Sequence, residues 1–126
     1  MARLLIVEDE PDIRDLIARQ LRGEGHEVLA VGSAAAAFAA VRRHGPPEAA
    51  VLDVGLPDMD GVALLRALRE ACPGLPAVVA TALWGGEVIG RIRAAGGHHL
   101  AKPFGRDDLY AALRRVLPGP DEGRPA

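Results

Sequence analysis

Four short apolar runs in this chain end on residues that can do chemistry. Residues 4–7 end on Glu8 and Asp9, 49–52 on Asp53, 77–80 on Thr81 and 100–101 on Lys102. Three carboxylates sharing one pocket repel, which raises their pKa values unless a cation intervenes. An all-oxygen donor set suits Mg²⁺, and no histidine or cysteine stands at these run ends to suggest zinc. An aspartate can also act as a covalent nucleophile and form an acyl phosphate. Phosphoryl transfer is catalysed mostly by positioning and by neutralising the equatorial oxygens. Mg²⁺ would cover one oxygen, Lys102 a second and the Thr81 hydroxyl a third. The 15 basic residues are 14 arginines and this one lysine, and a compact ammonium is a better point charge than arginine's planar fork. A plainer role exists for the first acids, since Asp9 or Glu10 could cap a helix at Pro11. That role does not explain Asp53, Thr81 and Lys102 at the other run ends.

Positioning these residues is a matter of the elements between them. Pro11, after an acidic cluster, opens a helical pattern carrying Ile13, Leu16, Ile17 and Leu21, which Gly23 and Gly25 close. A second apolar run covers residues 28–31. Ser33 caps an alanine-rich helix that stops at Gly45. Asp60 caps a helix over about 61–71, a weaker helix with Gly90 inside it covers 87–95, and a last one covers 107–117. Short runs alternating with helices imply parallel strands joined by crossovers, and their unbroken apolar character fits strands buried on both faces. The expectation is an α/β, doubly wound, five-stranded parallel sheet. If its order is 2-1-3-4-5, the first and third strands flank the switch point where ligands bind, beyond the carboxyl ends of the strands. Glu8, Asp9 and Asp53 then share one pocket, with Lys102 opposite.

The chain's 126 residues are one domain's worth, and 49% apolar with 25% charged excludes wholesale disorder. No apolar stretch approaches the ~18 residues a membrane span requires, and no signal peptide opens the chain. One cysteine, Cys72, points to a reducing, cytoplasmic setting and reads as a small apolar group rather than a nucleophile. A net charge of −2 gives no electrostatic case for gripping nucleic acid directly.

Leu4-Leu5-Ile6-Val7-Glu8-Asp9-Glu10-Pro11, Asp53-x-x-Leu56-Pro57-x-Met59-Asp60-Gly61, Thr81-Ala82 and Lys102-Pro103-Phe104 together resemble the receiver domain of two-component response regulators. The likeness spans about residues 3–117 and implies a flavodoxin-like (βα)₅ fold. Residues 1–117 would form the receiver domain, and 118–126 a flexible tail or linker stub. It further implies that Asp53 accepts the phosphoryl group, that Glu8, Asp9, Asp53 and the Gly55 backbone carbonyl hold Mg²⁺, and that Thr81 and Lys102 read the phosphoryl group. The donor would be a phosphohistidine on a sensor histidine kinase or histidine phosphotransfer protein. The product would act on a downstream output domain or protein through the face built by the fourth helix, fifth strand and fifth helix. Such a chain is a signalling switch rather than an enzyme, catalysing only its own phosphorylation and dephosphorylation. A cis peptide at Lys102-Pro103 is also implied.

Four departures from the family pattern stand out. His99 occupies the position where receivers carry a tyrosine or phenylalanine that moves with the threonine. It reads either as an exposed polar residue at a strand entrance or as a hydrogen-bonding switch. Gly55 and Leu83 occupy the positions of the side chains that tune dephosphorylation, and neither can orient a water, so a long-lived phosphoryl group is expected. Leu83-Trp84-Gly85-Gly86 replaces a polar stretch, with Trp84 either packed on the sheet end or exposed as a contact. Gly97 and His98 stand where dimerising relatives carry acids, which counts against that pairing surface, although a phosphorylation-dependent homodimer stays among the readings. Asp58-Met59-Asp60-Gly61 lacks the rest of a calcium loop and reads as a turn and helix cap. Two other functions remain to be separated: a phospho-independent interaction module of the same fold, and a phosphotransfer enzyme with an aspartyl-phosphate intermediate. Gly55 counts against the enzyme, since such enzymes put a second acid two residues after the nucleophile.

Overall fold

A computed structural model describes residues 2–82 and 85–117. The chain alternates β1 (Arg3–Val7), α1 (Pro11–Gly23), β2 (Glu27–Val31), α2 (Ala34–His44), β3 (Ala49–Asp53), α3 (Gly61–Ala71), β4 (Ala77–Thr81), α4 (Gly86–Ala94), β5 (His98–Ala101) and α5 (Arg106–Val116). All strands pair in parallel, as the alternation implied, and their order is β2-β1-β3-β4-β5, the one assumed in placing the site. Leu83, Trp84 and the segment 118–126, expected as a loop residue, a packing or contact residue and a tail, lie outside the described residues. No described helix is long and apolar enough to cross a membrane.

Every residue of β3 and β4 is buried, which is why those strands read as unbroken apolar runs. Alternate side chains feed two cores. Leu5, Val7, Leu52 and Val79 pack with Leu64, Leu65 and Leu68 of α3 and Ile92 of α4 on one face. Leu4, Ile6, Val51 and Val78 pack with Ile17 and Leu21 of α1 and Leu109 and Leu113 of α5 on the other. Each fully buried leucine or isoleucine contributes about 1.5–3 kcal/mol by leaving water. Packing is thinnest on α4, whose buried residue is Ile92 alone and whose N-cap, Gly85, supplies no side-chain hydrogen bond.

One boundary differs from the sequence reading in a way that matters. The fifth strand begins at His98 rather than Leu100, pairing Val78 with His98 and Val79 with His99. Two histidines hide a strand from apolar patterning, yet backbone pairing does not require apolar side chains. His99 therefore lies within the strand and is half-buried, not exposed at its entrance. His26, just before β2, is half-buried, and its Nδ1 accepts the Ala2 N–H at 3.1 Å.

The loop after β3 is fixed by capping. Asp60 accepts from the amides of Val62 (2.7 Å) and Ala63 (3.4 Å), starting α3. Gly61 lets that start press against β3. A Cβ there would fall inside the radius of the Asp53 carbonyl oxygen and 2.9 Å from the Val54 Cα. Backbone cannot yield as a side-chain tip can, so Gly61→Ala should lower stability by about 1–3 kcal/mol in urea unfolding. An unchanged midpoint would mean that α3 does not bear on the Asp53 backbone in solution.

Candidate functional site

Four of the five strands deliver their chemistry to one edge. Glu8 and Asp9 follow β1, Asp53 and Thr81 are the last residues of β3 and β4, and Lys102 follows β5. Because β1 lies beside β3, one carboxylate oxygen from each of Glu8, Asp9 and Asp53 falls within 4.8 Å of the others. Lys102 Nζ donates to Glu8 Oε1 at 2.9 Å and lies 3.2 Å from Asp53 Oδ1. Its backbone N–H donates to the Thr81 carbonyl at 3.0 Å, and the Lys102–Pro103 peptide is cis. Glu8, Asp53 and Thr81 are 2%, 9% and 3% exposed, whereas Asp9 is open to solvent.

Burial pushes the Glu8 carboxyl up to about 7. The hydrogen bond from Lys102 opposes that rise, and the hydrogen bond and negative charge of Asp53 add to it. Burial pulls Lys102 down, but its contacts with Glu8 and Asp53 outweigh that and hold it above the ordinary lysine range. The second carboxylate oxygen, Glu8 Oε2, is buried with no hydrogen-bond partner among the described residues. Three clustered carboxylates, one with an unpartnered buried oxygen, are a donor set that fits a hard divalent cation.

The sequence reading thus placed Glu8, Asp9, Asp53, Thr81 and Lys102 on one rim, and the fold brings them there. Gly55 is exposed two residues beyond Asp53 and forms an isolated antiparallel bridge with Asp60. A Cβ at Gly55 would stand 4.0 Å from Asp53 Oδ2. His99 sits a strand away, with Nε2 buried and unpartnered among the described residues. Asp58 was read only as part of a turn, but its carboxylate accepts from the amides of Ala34 (2.9 Å) and Ala35 (3.0 Å). Those bonds hold its pKa below the ordinary carboxylate range and tie the loop after Asp53 to the start of α2. An acid 24 positions away in sequence leaves no local signal of such a contact.

A doubly wound sheet with an acidic pocket at its switch point and a lysine across from it defines an α/β domain whose charged site lies at the carboxyl edge of its strands. Comparison with known proteins gives the family. Residues 4–114 match the response regulator receiver domain, and the chain belongs to that family. It is 38% identical over 115 residues to the probable transcriptional regulatory protein TcrX of Mycobacterium tuberculosis, covering 90% of this chain and 49% of that protein. It is 43% identical over 117 residues to TcrA of the same organism, covering 90% and 45%. The chain spans about half the length of these curated relatives. Among solved structures, Vibrio cholerae chemotaxis protein CheY4 superposes with a TM-score of 0.85 at 28% identity, over 93% of this chain and 99% of that one. Receiver domains are signalling switches rather than classical enzymes, and they bind Mg²⁺ at an acidic pocket.

A cation held by this cluster would compete with the proton on Glu8. Its folded pKa exceeds its unfolded one, so its contribution to stability is present below the ordinary carboxylate range and lost as pH rises through about 7. Mg²⁺ should therefore raise the melting temperature more at about pH 8 than at about pH 6. Its apparent affinity should weaken by up to about tenfold per pH unit below 7. Equal thermal shifts at both pH values would remove Glu8 from the cation site.

Proposed function

We propose that this chain is a phosphorylation-dependent switch in which Asp53 accepts a phosphoryl group from a phosphohistidine. The observation that supports this most is the convergence of Glu8, Asp9 and Asp53 within 4.8 Å, with Lys102 3.2 Å from the acceptor oxygen. An Asp53 carboxylate oxygen attacks phosphorus as the P–N bond breaks. The imidazole leaves with that electron pair and takes its proton from solvent. Lys102 places positive charge where the phosphoryl group arrives. The Thr81 hydroxyl lies on the neighbouring strand end to donate to a phosphoryl oxygen. Glu8, Asp9, Asp53 and the Gly55 carbonyl would hold Mg²⁺, which when bound neutralises charge on the phosphoryl oxygens.

The receiver unit runs over residues 1–117, and its donor is a sensor histidine kinase or histidine phosphotransfer protein. TcrX and TcrA are named as transcriptional regulatory proteins and are about twice as long, which supports an output partner or module downstream. Phosphorylation acts by biasing a bistable element. His99 is a candidate for it together with Thr81, because a buried imidazole nitrogen with no described partner has a reason to change its surroundings.

Acetyl phosphate with Mg²⁺ should label the wild-type chain and leave Asp53→Asn unlabelled on phosphate-affinity gels. Labelling of the Asn variant would move the acceptor elsewhere, and an unlabelled wild type that still binds an output protein would favour the phospho-independent module. With no side chain at Gly55 to orient water, the phosphoryl group should be long-lived. Gly55→Asn, whose Cβ has room 4.0 Å from Asp53 Oδ2, should shorten its lifetime several-fold. A short lifetime in the unmodified chain would overturn that expectation.

A further inference from the structure

Glu8 and Asp9 lie beyond the last paired residue of β1, so their placement depends on what holds the loop that carries them. The Glu8 N–H donates to the Val31 carbonyl at 3.0 Å, which fixes the peptide plane before Glu8. The plane after Glu8 contains its own carbonyl and the Asp9 N–H. That carbonyl accepts from Arg14 Nη1 at 3.1 Å. Arg14 lies in the first turns of α1 and is half-buried, and its own N–H donates to the Glu10 carbonyl at 2.9 Å. Glu8 Cα is thus gripped between two clamped planes, one held by β2 and one by an arginine.

Gly32, the residue after β2, completes the arrangement. A Cβ on Gly32 would stand 2.6 Å from Arg14 Nη1 and 3.8 Å from the Glu8 carbonyl oxygen. Its backbone is not in the left-handed region, so its conformation does not call for glycine. The missing side chain is what leaves the guanidinium its slot. A planar fork with fixed donors suits a single backbone acceptor reached through a narrow opening better than a mobile ammonium does.

We infer that Arg14, seated in the slot left by Gly32, is a positioning residue that aims the Glu8–Asp9 loop at the cation site. The inference rests on the proposed Mg²⁺-dependent switch and deepens it. Groups that orient ligands through a hydrogen bond typically change metal affinity by about 10–100-fold. Removing Arg14 should fall at the low end, about tenfold, because the Val31 bond remains.

The test is Mg²⁺ titration calorimetry on the full chain, beside hydrogen exchange on the metal-free protein. Arg14→Ala should weaken Mg²⁺ binding about tenfold and speed exchange of the Glu8 amide while leaving that of Ile6 unchanged. Arg14→Lys should restore part of the affinity. Gly32→Ala displaces only the guanidinium, so it should weaken binding by no more than Arg14→Ala, and the double variant should be no worse than Arg14→Ala. A folded Arg14→Ala that binds Mg²⁺ within about twofold of wild type would overturn the role, as would additive effects in the double variant. If Arg14→Ala does not fold, Arg14→Lys and Gly32→Ala decide: wild-type affinity in both overturns it. A wild-type chain that binds no Mg²⁺ would fell the switch reading itself, a result distinct from any of these.

Discussion

One lysine reaching across the carboxyl edge of the sheet is what lets three acids coexist there. Like charges this close cannot all remain ionised without compensation, and Lys102 supplies it to Glu8 and Asp53 at once. The compensation is partial, which is why burial and the neighbouring aspartate keep Glu8 near neutrality. The site carries an unmet electrostatic demand in the folded state, and a divalent cation is the kind of ligand that meets it. Stability and binding are therefore linked through the same few atoms.

The remainder of the architecture serves that edge. Parallel pairing of β1 with β3 is what sets Glu8 and Asp9 beside Asp53, and the β4–β5 pair delivers Thr81 and Lys102 to the same side. Both faces of the sheet are packed by helices, so the strands cannot slip in register without turning buried side chains toward the wrong core. A slip of one residue in β3 would send Asp53 into a hydrophobic layer. The leucines of α3 and the aliphatic residues of α1 and α5 act on the chemistry by forbidding that.

Much of this was legible in the sequence because strand ends carry a local signature: a short apolar run followed by a polar residue. Parallel pairing followed from alternation, and the gathering of Glu8, Asp9, Asp53 and Lys102 followed from the topology rule once the order 2-1-3-4-5, which the family resemblance implies, was assumed. What escaped notice was non-local or lacked an apolar mark. His98 and His99 concealed half of β5 because polarity says nothing about backbone pairing. Asp58 looked like a turn residue, since its partners at Ala34 and Ala35 lie in another element. Arg14 and Gly32 carry no local signal, one lying on a helix and the other just past a strand. Only their proximity in space gives either one a task.

The loop following Asp53 is anchored unusually well for a loop. Asp58 grips the first amides of α2, Asp60 grips those of α3, Gly55 bridges to Asp60, and Gly61 brings helix against strand. On the opposite flank, α4 is tethered by Ile92, by an exposed Arg91–Asp60 ion pair at 3.3 Å and by Arg69 bonds to the carbonyls of Ala95 and Gly96. Exposed pairs of that kind contribute only ~0.2–1 kcal/mol. Whatever bears on Asp53 therefore meets side-chain caps toward α2 and α3, and toward α4 a helix with one fully buried residue and exposed polar contacts.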